Sequence, residues 1–166
     1  MKNILVTGGA GFIGCNLIKE LKGKGLNILS IDDYSSGSKK NEIPGVRYID
    51  LDINDIDQID FNADVCFHLA ARSRVQPSFS NPVNYFDSNV KGTMKIMEWA
   101  RNNNTKVVYA GSSSRHHSPS DSPYAMYKFL GEEVCKLYKK SFNVNVEIAR
   151  FYNVYGRNEV LDEING

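Results

Sequence analysis

Apolar residues along this chain occur in short continuous runs that alternate with stretches of helical periodicity. The continuous runs predict strands at about 2–7, 27–32, 45–50, 64–69, 105–110 and 145–150. The periodic stretches predict helices at about 12–23, 83–102 and 122–142, with a short helical or irregular stretch at 54–60. Runs without polar alternation are typical of parallel strands that are buried on both faces. The pattern therefore indicates an α/β fold.

This alternation predicts a doubly wound parallel sheet with helices on both faces, the Rossmann fold. Right-handed crossovers give such a sheet the strand order 3-2-1-4-5-6. No internal repeat, low-complexity tract or linker divides residues 1–166, so we expect a single domain. Ligands of such sheets bind beyond the carboxyl ends of the strands, where the polar motifs of this chain fall.

Charge and cysteine content narrow the classes of function. The formal net charge is +1, and Lys39-Lys40 is too short a basic run to predict a nucleic-acid partner. No apolar run reaches membrane-spanning length, and glycines after Val6 interrupt any signal-peptide pattern. Cys15, Cys66 and Cys135 form no CxxC motif, and we expect reduced thiols in a cytoplasmic protein.

A glycine-rich turn follows the first predicted strand and opens the first helix. Its spacing, Gly9-x-Gly11-x-x-Gly14, is that of a dinucleotide-binding turn. We expect Gly9 to permit the tight turn, Gly11 to let the backbone approach a pyrophosphate, and Gly14 to let helix and strand pack closely. The amides and the positive dipole end of the helix would then face the phosphates.

An acidic residue, Asp32, ends the second predicted strand. A carboxylate at this place can accept hydrogen bonds from the ribose hydroxyls of an adenosine. It would repel a 2′-phosphate, so the sequence predicts NAD rather than NADP as cofactor.

A second motif, Tyr124-x-x-x-Lys128, opens the helix after the fifth strand, and a serine run beginning at Ser112 ends that strand. Residues four apart on a helix lie on one face, so the lysine ammonium is expected beside the phenol. A neighbouring ammonium favours the phenolate, which can take a proton from an alcohol, while a serine hydroxyl holds the same oxygen. Together with the glycine turn, these residues predict nicotinamide-dependent redox chemistry on an alcohol or its ketone.

Further segments match one known family over nearly the whole chain. They are TGGAGFIG at 7–14, Asp32-Asp33, Asp52-Ile53, HLAA at 68–71, Val75 through Ser78 and Pro82 to Asn89 and Gly92-Thr93, the serines at 112–114, YxxxK at 124–128 and RFYNVYG at 150–156. With these residues the chain resembles the extended short-chain dehydrogenase/reductase family, and within it the nucleotide-sugar epimerases and dehydratases.

The resemblance implies NAD as cofactor, a nucleotide-diphosphate sugar as substrate, and a role for each matching residue. Implied cofactor-binding residues are Gly8, Gly9, Gly11, Phe12, Ile13, Gly14, Asp32, Asp52, Ile53, Ala70, Ala71, Tyr124 and Lys128. Of these, Asp52 and Ile53 would border the adenine, and Ala70 and Ala71 would line the cofactor cleft. Ser112, Tyr124 and Lys128 would form the catalytic group, Asn89 would be structural, and Asn153 would contact the diphosphate of the substrate.

Two departures from the family pattern bear on the reaction. Dehydratases of the family place an Asp-Glu pair after the catalytic serine or threonine, and decarboxylating relatives use a glutamate there. Ser113 and Ser114 stand at those positions, which argues against both reactions. Arg115-His116-His117 replaces the usual residues leading into Val-Tyr-Gly. Adjacent histidines point apart and no third ligand is evident, so we predict no metal and expect them to line the sugar pocket or to be exposed.

The sequence therefore predicts an NAD-dependent nucleotide-sugar epimerase that oxidises a sugar hydroxyl transiently and then reduces the keto-sugar from its other face. The alternatives are a nucleotide-sugar reductase or dehydrogenase with net redox change, and a dinucleotide-binding redox sensor without catalysis. Family members continue after RFYNVYG with a substrate-binding portion, and we expect these 166 residues, as a fragment or as a naturally short protein, to act without it. We accordingly expect NAD binding, little epimerase activity from these residues alone, and exposed apolar surface near 150–166.

The resemblance also implies a homodimer, because helices corresponding to 83–102 and 122–142 pack as a four-helix bundle in the family. The apolar surface for it would come from Met94, Met97, Trp99, Phe129, Val134 and Leu137, some of which must face the sheet. The alternative is that all of these side chains face the sheet.

Overall fold

A computed structural model, which describes residues 1–116 and 118–159, shows a parallel sheet of six strands. The strands are β1 (Asn3–Thr7), β2 (Asn27–Asp32), β3 (Arg47–Asp50), β4 (Val65–His68), β5 (Lys106–Ser112) and β6 (Val146–Phe151). Their order across the sheet is β3-β2-β1-β4-β5-β6, and every neighbouring pair is parallel. The predicted Rossmann topology is confirmed.

Five α-helices connect the strands, with one π-helical segment among them. The helices are α1 (Phe12–Lys22), α2 (Val75–Ser80), α3 (Pro82–Phe86), α4 (Thr93–Asn103) and α5 (Pro123–Phe142), and the π-helical segment is Asp87–Gly92. Short 3₁₀ turns span Lys39–Asn41, Ile53–Gln58, Ser113–His116 and Pro119–Asp121. The helix predicted at 83–102 is present as one helical run, in which the wider π turn joins α3 to α4. Sequence patterning did not indicate this π turn, and it missed α2.

Alternate residues of the strands pack into two cores on opposite faces of the sheet. Ile4 and Val6 of β1 pack with Ile18 of α1, whereas Leu5 between them belongs to the larger core under α4 and α5. Trp99 of α4 lies in that larger core. Burying an aliphatic side chain of this size contributes roughly 1.5–3 kcal/mol, so the alternation fixes which face of each strand meets which helix.

The face of the sheet that carries α1 is covered unevenly in the described part of the chain. Beside α1, an apolar groove of about 530 Å³ runs over β4, β5 and β6, where Phe67, Val108 and Ala149 lie on its floor. Residues after β6 contribute the exposed aromatic side chains of Tyr152 and Tyr155. These belong to the predicted apolar surface near 150–166, of which residues 160–166 lie outside the described ranges.

Helix α5 begins where the sequence predicts it. The Ser122 hydroxyl accepts a hydrogen bond from the backbone N–H of Ala125 at 3.0 Å, and Pro123 occupies the first turn, where its missing N–H has no cost. This cap places Tyr124 in the first turn of α5, beyond the carboxyl end of β5.

Cys15, Cys66 and Cys135 are free and buried. Within the described ranges, the model contains no helix with the length and apolarity needed to cross a bilayer.

Candidate active site

The glycine turn between β1 and α1 is shaped by two different demands. Gly8, rather than Gly9, has the left-handed backbone conformation, with φ +72°. The expectation that Gly9 permits the tight turn is therefore wrong. A side chain at Gly9 would instead meet the Ser30 hydroxyl at 1.9 Å and Ile18 at 2.7 Å. Gly9 is required for close packing against β2 and α1, and Gly8 for the turn itself.

Gly14 and Gly11 differ in what surrounds them. A Cβ at Gly14 would lie 2.1 Å from the Gly8 carbonyl oxygen and 2.7 Å from Gly9 Cα, so Gly14 lets α1 pack directly on the turn, as predicted. A Cβ at Gly11 would meet only that same carbonyl oxygen, at 3.2 Å. The space outside Gly11, which precedes the first residue of α1, is open to a ligand. This turn fits a pyrophosphate at the helix N-terminus.

Asp32 is buried at the end of β2 and is already bonded to the glycine turn. Its Oδ2 accepts a hydrogen bond from Ala10 N–H at 2.8 Å, and its Oδ1 accepts one from Tyr34 N–H at 2.9 Å. Burial raises the pKa of this carboxyl group, while the two backbone donors oppose the rise. Because each carboxylate oxygen has a second lone pair, Asp32 can hold the turn and still accept from ribose hydroxyls.

The other expected cofactor contacts lie around the same edge of the sheet, with one correction. Ala70 follows β4, and a side chain at Gly8 would meet the Ala70 amide nitrogen at 2.7 Å, so these two backbones are in direct contact. Asp52 is exposed and caps the 3₁₀ turn after β3, where it accepts from Asn54 N–H at 2.8 Å. The Ile53 side chain is buried against Gly92, so of Ile53 it is the backbone that remains for the expected contact with the adenine.

A chain of hydrogen bonds through His68 connects this cofactor edge to the π-helical segment. Thr93 Oγ1 donates to the carbonyl oxygen of Asn89 at 2.8 Å, so it must accept from His68 Nε2, 3.1 Å away. His68 Nδ1 is then the acceptor for the Thr7 hydroxyl at 2.8 Å, and that hydroxyl accepts from Ala70 N–H at 3.1 Å. Every donor has one acceptor only if His68 is neutral with its proton on Nε2.

This neutral histidine leads to a prediction about stability and pH. Burial, with a smaller effect of the Lys128 charge, lowers the pKa of His68 to about 3. The unfolded chain takes up a proton below its ordinary pKa near 6.5, whereas the folded protein does not. Stability from this group is therefore complete above pH 6.5 and is lost as the pH falls toward 3. We expect His68 to lower the free energy of unfolding by about 2 kcal/mol between pH 7 and pH 5.

Urea unfolding of the wild type and of His68→Gln at both pH values measures this contribution. The variant is expected to lose the part of the pH dependence that His68 causes. His116→Gln is the matched control, because it removes an imidazole that is exposed and lies outside this chain of hydrogen bonds. Equal pH dependence in the wild type and His68→Gln would contradict the assignment of a buried neutral imidazole.

Ser112 and Tyr124, which are twelve positions apart in sequence, are brought into contact. The Tyr124 hydroxyl lies 3.2 Å from Ser112 Oγ. Ser114, which stands where other family members carry an acidic residue, supports this contact, because its N–H and its hydroxyl lie 3.2 Å and 3.0 Å from Ser112 Oγ. The Tyr124 hydroxyl donates to Ser112 Oγ, and with Ser114 also donating, the Ser112 hydroxyl proton is free for an oxygen bound beside the pair.

Lys128 lies one turn after Tyr124 on the buried face of α5. Its Nζ donates to the carbonyl oxygen of Ala110 at 2.5 Å and lies 4.7 Å from the centre of the Tyr109 ring. Burial lowers the pKa of Lys128 to about 8, against the opposing effects of Cys135 and Glu132. The amine is therefore largely protonated at neutral pH, and it places a positive charge behind the Ser112–Tyr124 pair.

Two buried polar residues of the family pattern, Ser78 and Asn89, support the site through hydrogen bonds to the backbone. Ser78, buried at the end of α2, accepts a hydrogen bond from Tyr124 N–H at 3.2 Å and so holds the start of α5. Asn89 bonds both backbone groups of Arg72, with distances of 2.8 Å and 2.9 Å. A buried serine or asparagine nearly always makes a hydrogen bond. Because the partners of Ser78 and Asn89 belong to other segments, the spacing of residues in the sequence does not reveal them.

The residues around the expected sugar site lie on the surface or pack against α5. Arg115 packs on α5, with its guanidinium 4.3 Å from the centre of the Phe129 ring and 3.3 Å from Glu133. His116 is exposed and hydrogen-bonds the Tyr152 hydroxyl at 2.9 Å, while His117 lies outside the described residues. Asn153 follows β6 and is exposed. Among the described residues, no cluster of histidine, cysteine and acidic side chains has the arrangement of a metal site.

Comparison with known proteins identifies the class to which this fold and these residues belong. The model of the NAD dependent epimerase/dehydratase family matches residues 4–165, and the chain belongs to this family.

Individual relatives agree with the family match. A putative UDP-glucose 4-epimerase of Methanocaldococcus jannaschii is 36% identical over 94% of the chain, and UDP-glucuronate 4-epimerase 2 of Arabidopsis thaliana is 31% identical over 93%. The crystal structure of the Bordetella bronchiseptica enzyme WbmF with NAD⁺ and UDP superposes with a TM-score of 0.88 at 34% identity, covering 96% of the chain. The chain spans 57%, 42% and 51% of these three proteins.

Proposed function

We propose that the protein acts as an NAD-dependent nucleotide-sugar epimerase. The observation that carries this proposal is the contact between the Tyr124 and Ser112 hydroxyls at 3.2 Å, with the Lys128 ammonium one turn away on the same helix. This is an acid–base group at the carboxyl edge of a sheet whose glycine turn fits a dinucleotide. Relatives named as epimerases of UDP-sugars support the reaction and the substrate class.

The residues that would hold NAD surround the ends of β1, β2 and β4. The glycine turn and the first residues of α1 would bind the pyrophosphate, and Asp32 would bind the adenosine ribose. The backbone of Ile53 and the segment at Ala70 and Ala71 would border the rest of the cofactor. When bound, NAD would supply reversible oxidation of a sugar hydroxyl to a ketone, with no net change of the cofactor.

The side chains beyond β5 would move and hold the proton of that hydroxyl. Tyr124 would take the proton as the carbonyl forms and return it when the hydroxyl is restored on the inverted carbon. Ser112 would donate a hydrogen bond to the same oxygen, because its own lone pairs face the two donors of Ser114. The buried Lys128 would stand one helical turn after Tyr124 on the same helix. Asn153 would contact the diphosphate of the substrate.

The surroundings of Ser112 support epimerisation over dehydration or decarboxylation. Those reactions need a carboxylate next to the reacting sugar, and the positions after Ser112 hold Ser113 and Ser114. The nearby carboxylate of Glu132 is bonded by Arg150 at 2.9 Å and is not available as an acid or base for a sugar.

The assay for this proposal incubates the protein with NAD and a panel of UDP-, GDP-, CDP- and dTDP-sugars and looks for the inverted sugar by chromatography. Inverted product without accumulation of NADH supports an epimerase. Stoichiometric NADH with an oxidised sugar would replace the proposal by a dehydrogenase with net redox change. Binding of NAD and a sugar nucleotide without any product would favour the non-catalytic alternative.

Cofactor choice gives a separate prediction. NADH is expected to bind at least about tenfold more tightly than NADPH, which is ~1.4 kcal/mol, because the 2′-phosphate would approach the Asp32 carboxylate. Calorimetric titration with both cofactors measures the ratio. Asp32→Asn should narrow it, whereas Asp33→Asn, at the exposed next position, should leave it unchanged. A preference for NADPH in the wild type would refute the role given to Asp32.

We further propose that the protein forms a homodimer through the surface of α3, α4 and α5. Exposed apolar side chains on this surface support the proposal: Met94 of α4 is 48% exposed and Leu137 of α5 is 54% exposed. Val83 and Phe86 of α3 extend the same surface.

The remaining side chains expected at this interface are placed differently. Met97 and Trp99 are buried in the core and so belong to the part of the expected set that faces the sheet. Val134 packs partly against that core, and Phe129 lies under Arg115.

Leu137→Glu is therefore expected to convert the dimer to a monomer, because the change places a charge in the centre of an apolar contact. Light scattering at high micromolar concentration compares the wild type, this variant and Lys19→Glu. Lys19 belongs to α1 on the opposite face of the sheet, so its substitution should leave the dimer intact. A wild-type protein that remains monomeric under these conditions would rule the dimer out.

A further inference from the structure

Glu132 is a buried carboxylate in line with the proposed catalytic side chains. It follows Lys128 by one helical turn on α5, as Lys128 follows Tyr124, so the three side chains share one face of the helix. Its side chain is 1% exposed, and an acidic side chain is almost never buried so completely unless it is paired. Its partners come from the segments that follow β5 and from the end of β6.

Arg150 of β6 binds Glu132 with two parallel hydrogen bonds. Arg150 Nε donates to Oε1 at 3.0 Å and Nη2 donates to Oε2 at 2.9 Å, which is the bidentate geometry that fixes both groups in one orientation. Arg115, in the turn after β5, brings a second guanidinium, with Nε 3.8 Å from Oε2. One carboxylate on α5 thus contacts both chain segments that lead away from the carboxyl edge.

The backbone between these segments is built around the same carboxylate. A side chain at Gly111 would lie 2.7 Å from Glu132 Oε1, 2.9 Å from Ile148 and 3.0 Å from Arg150. The absence of a side chain at Gly111 lets β5 approach the ion pair, and Ser112 is the next residue. Movement of the carboxylate would therefore be passed directly to Ser112.

We propose that Glu132 is a positioning residue of the active site, which clamps the ends of β5 and β6 to the face of α5 that carries Tyr124 and Lys128. The inference rests on the proposed function only in calling that edge an active site. Through Gly111 and Arg115, the clamp sets where Ser112 stands relative to Tyr124. Through Arg150, it sets the start of the segment that carries Asn153.

The clamp has a second effect, on the charge of Lys128. The titratable groups that interact with Lys128 are His68 from β4, Tyr109 from β5, and Glu132 and Cys135 from α5 itself, and Glu132 is in turn paired with Arg115 and Arg150. Burial holds His68 neutral by lowering its pKa to about 3 and holds the Cys135 thiol protonated by raising its pKa to about 12. Glu132 is thus a negative charge that helps Lys128 keep its proton in a buried place.

The test follows the Lys128 amine directly, in protein labelled with ¹³C at lysine Cε, with its NMR signal assigned by Lys128→Arg. In the wild type the signal should titrate with a midpoint of about 8. Glu132→Gln should lower the midpoint by at least about half a pH unit, because a neutral amide no longer favours the ammonium. If Glu132 had a purely structural role, the titration midpoint of Lys128 would be the same in Glu132→Gln as in the wild type. An unchanged midpoint in folded Glu132→Gln would overturn this part of the proposal.

Glu133→Gln is the matched control. Glu133 is the next residue of α5 and also contacts Arg115, at 3.3 Å, but it lies at the surface and bonds Lys136 at 2.7 Å. Removing its charge should leave the Lys128 midpoint at the wild-type value. A shift as large as that of Glu132→Gln would show a general effect of charge on the helix and would overturn the assignment.

Amide hydrogen exchange tests the clamp itself. Residues 111–114 and 150–153 should exchange at least about tenfold faster in Glu132→Gln than in the wild type, and should be unchanged in Glu133→Gln. If Glu132→Gln fails to fold, Arg150→Gln provides the test, because it removes the other partner of the bidentate ion pair and Arg150 is the more exposed of the two residues. Amide exchange in the same two segments should then be faster than in the wild type. Unchanged exchange in Arg150→Gln would overturn the clamp. Neither measurement uses sugar, cofactor or turnover, so failure of the epimerase proposal is separate from failure here.

Discussion

Replacing Tyr124 with phenylalanine is expected to lower the epimerisation rate of a turnover-competent protein at least about a hundredfold, the usual scale of general acid–base catalysis. The substitution keeps the ring and removes the one hydroxyl that lies 3.2 Å from Ser112 Oγ. The start of α5 should be unaffected, because Ser122 caps it and Ser78 holds the Tyr124 amide through backbone contacts. NADH affinity should therefore stay within about twofold of the wild type.

Tyr127 provides the control within the same helix. Its ring packs edge-on against Phe86, with ring centres 5.7 Å apart, and it lies one position before Lys128. Tyr127→Phe should retain near-wild-type turnover. Initial rates with a saturating sugar nucleotide, together with NADH titrations, compare the three proteins. Near-wild-type turnover in Tyr124→Phe, or a large loss in Tyr127→Phe, would remove Tyr124 from the mechanism.

Replacing Gly14 with alanine is expected to cost about 3 kcal/mol of folding stability, the upper end of the range for overpacking. The new Cβ would stand 2.1 Å from the Gly8 carbonyl oxygen and 2.7 Å from Gly9 Cα. These are backbone atoms of the turn and cannot rotate away, so α1 must separate from the turn. That movement displaces the amides that would bind the pyrophosphate, and we expect NADH affinity to fall at least about tenfold.

Gly23→Ala, at the other end of α1, isolates the effect of this contact. A Cβ at Gly23 would meet no atom within 4 Å, and its φ of −76° suits any residue. That variant should be within about 0.5 kcal/mol of the wild type or slightly more stable, because alanine reduces the entropy of the unfolded chain. Urea unfolding and calorimetric NADH titration measure both variants. A Gly14→Ala protein within 1 kcal/mol of the wild type would contradict the close packing described for the turn.

The strands and the sheet order could be predicted because they depend on local pattern and general connection rules. The predicted strands agree with β1 to β6 to within a few residues, since continuous apolar runs are long enough to distinguish buried strands from loops. The helix predicted at 83–102 is present from Pro82 to Asn103, but the sequence pattern did not indicate its π turn at Asp87–Gly92. Gly92, at the end of that turn, packs against Ile53, whose side chain would be 2.4 Å from a Cβ there. A contact between segments so distant in sequence leaves no local signal.

Within the glycine turn, too, some features could be predicted from the sequence and others depend on packing. Its spacing predicted a strand, a turn and a helix, and all three are present. Which glycine adopts the left-handed conformation was decided by packing: Gly8 lies against the Ala70 backbone, and Gly9 lies against Ser30. Both neighbours belong to other strands, so the order of glycines in the sequence could not assign the two roles.

At the site, the motifs and their spacing were enough to predict which chemical groups are present and at which edge of the sheet they lie. The glycine turn, Asp32, Ser112, Tyr124 and Lys128 follow strands or open helices, and parallel strands place such positions at one edge. How these groups are held depends on the packing of the folded chain. The neutral His68 chain and the Glu132 clamp each join residues from different elements. Burial makes such bonds obligatory, because an unpaired polar group away from water costs more than a made hydrogen bond contributes. The partner that satisfies each group is set by the packing of strands and helices, and nothing in the local sequence names it.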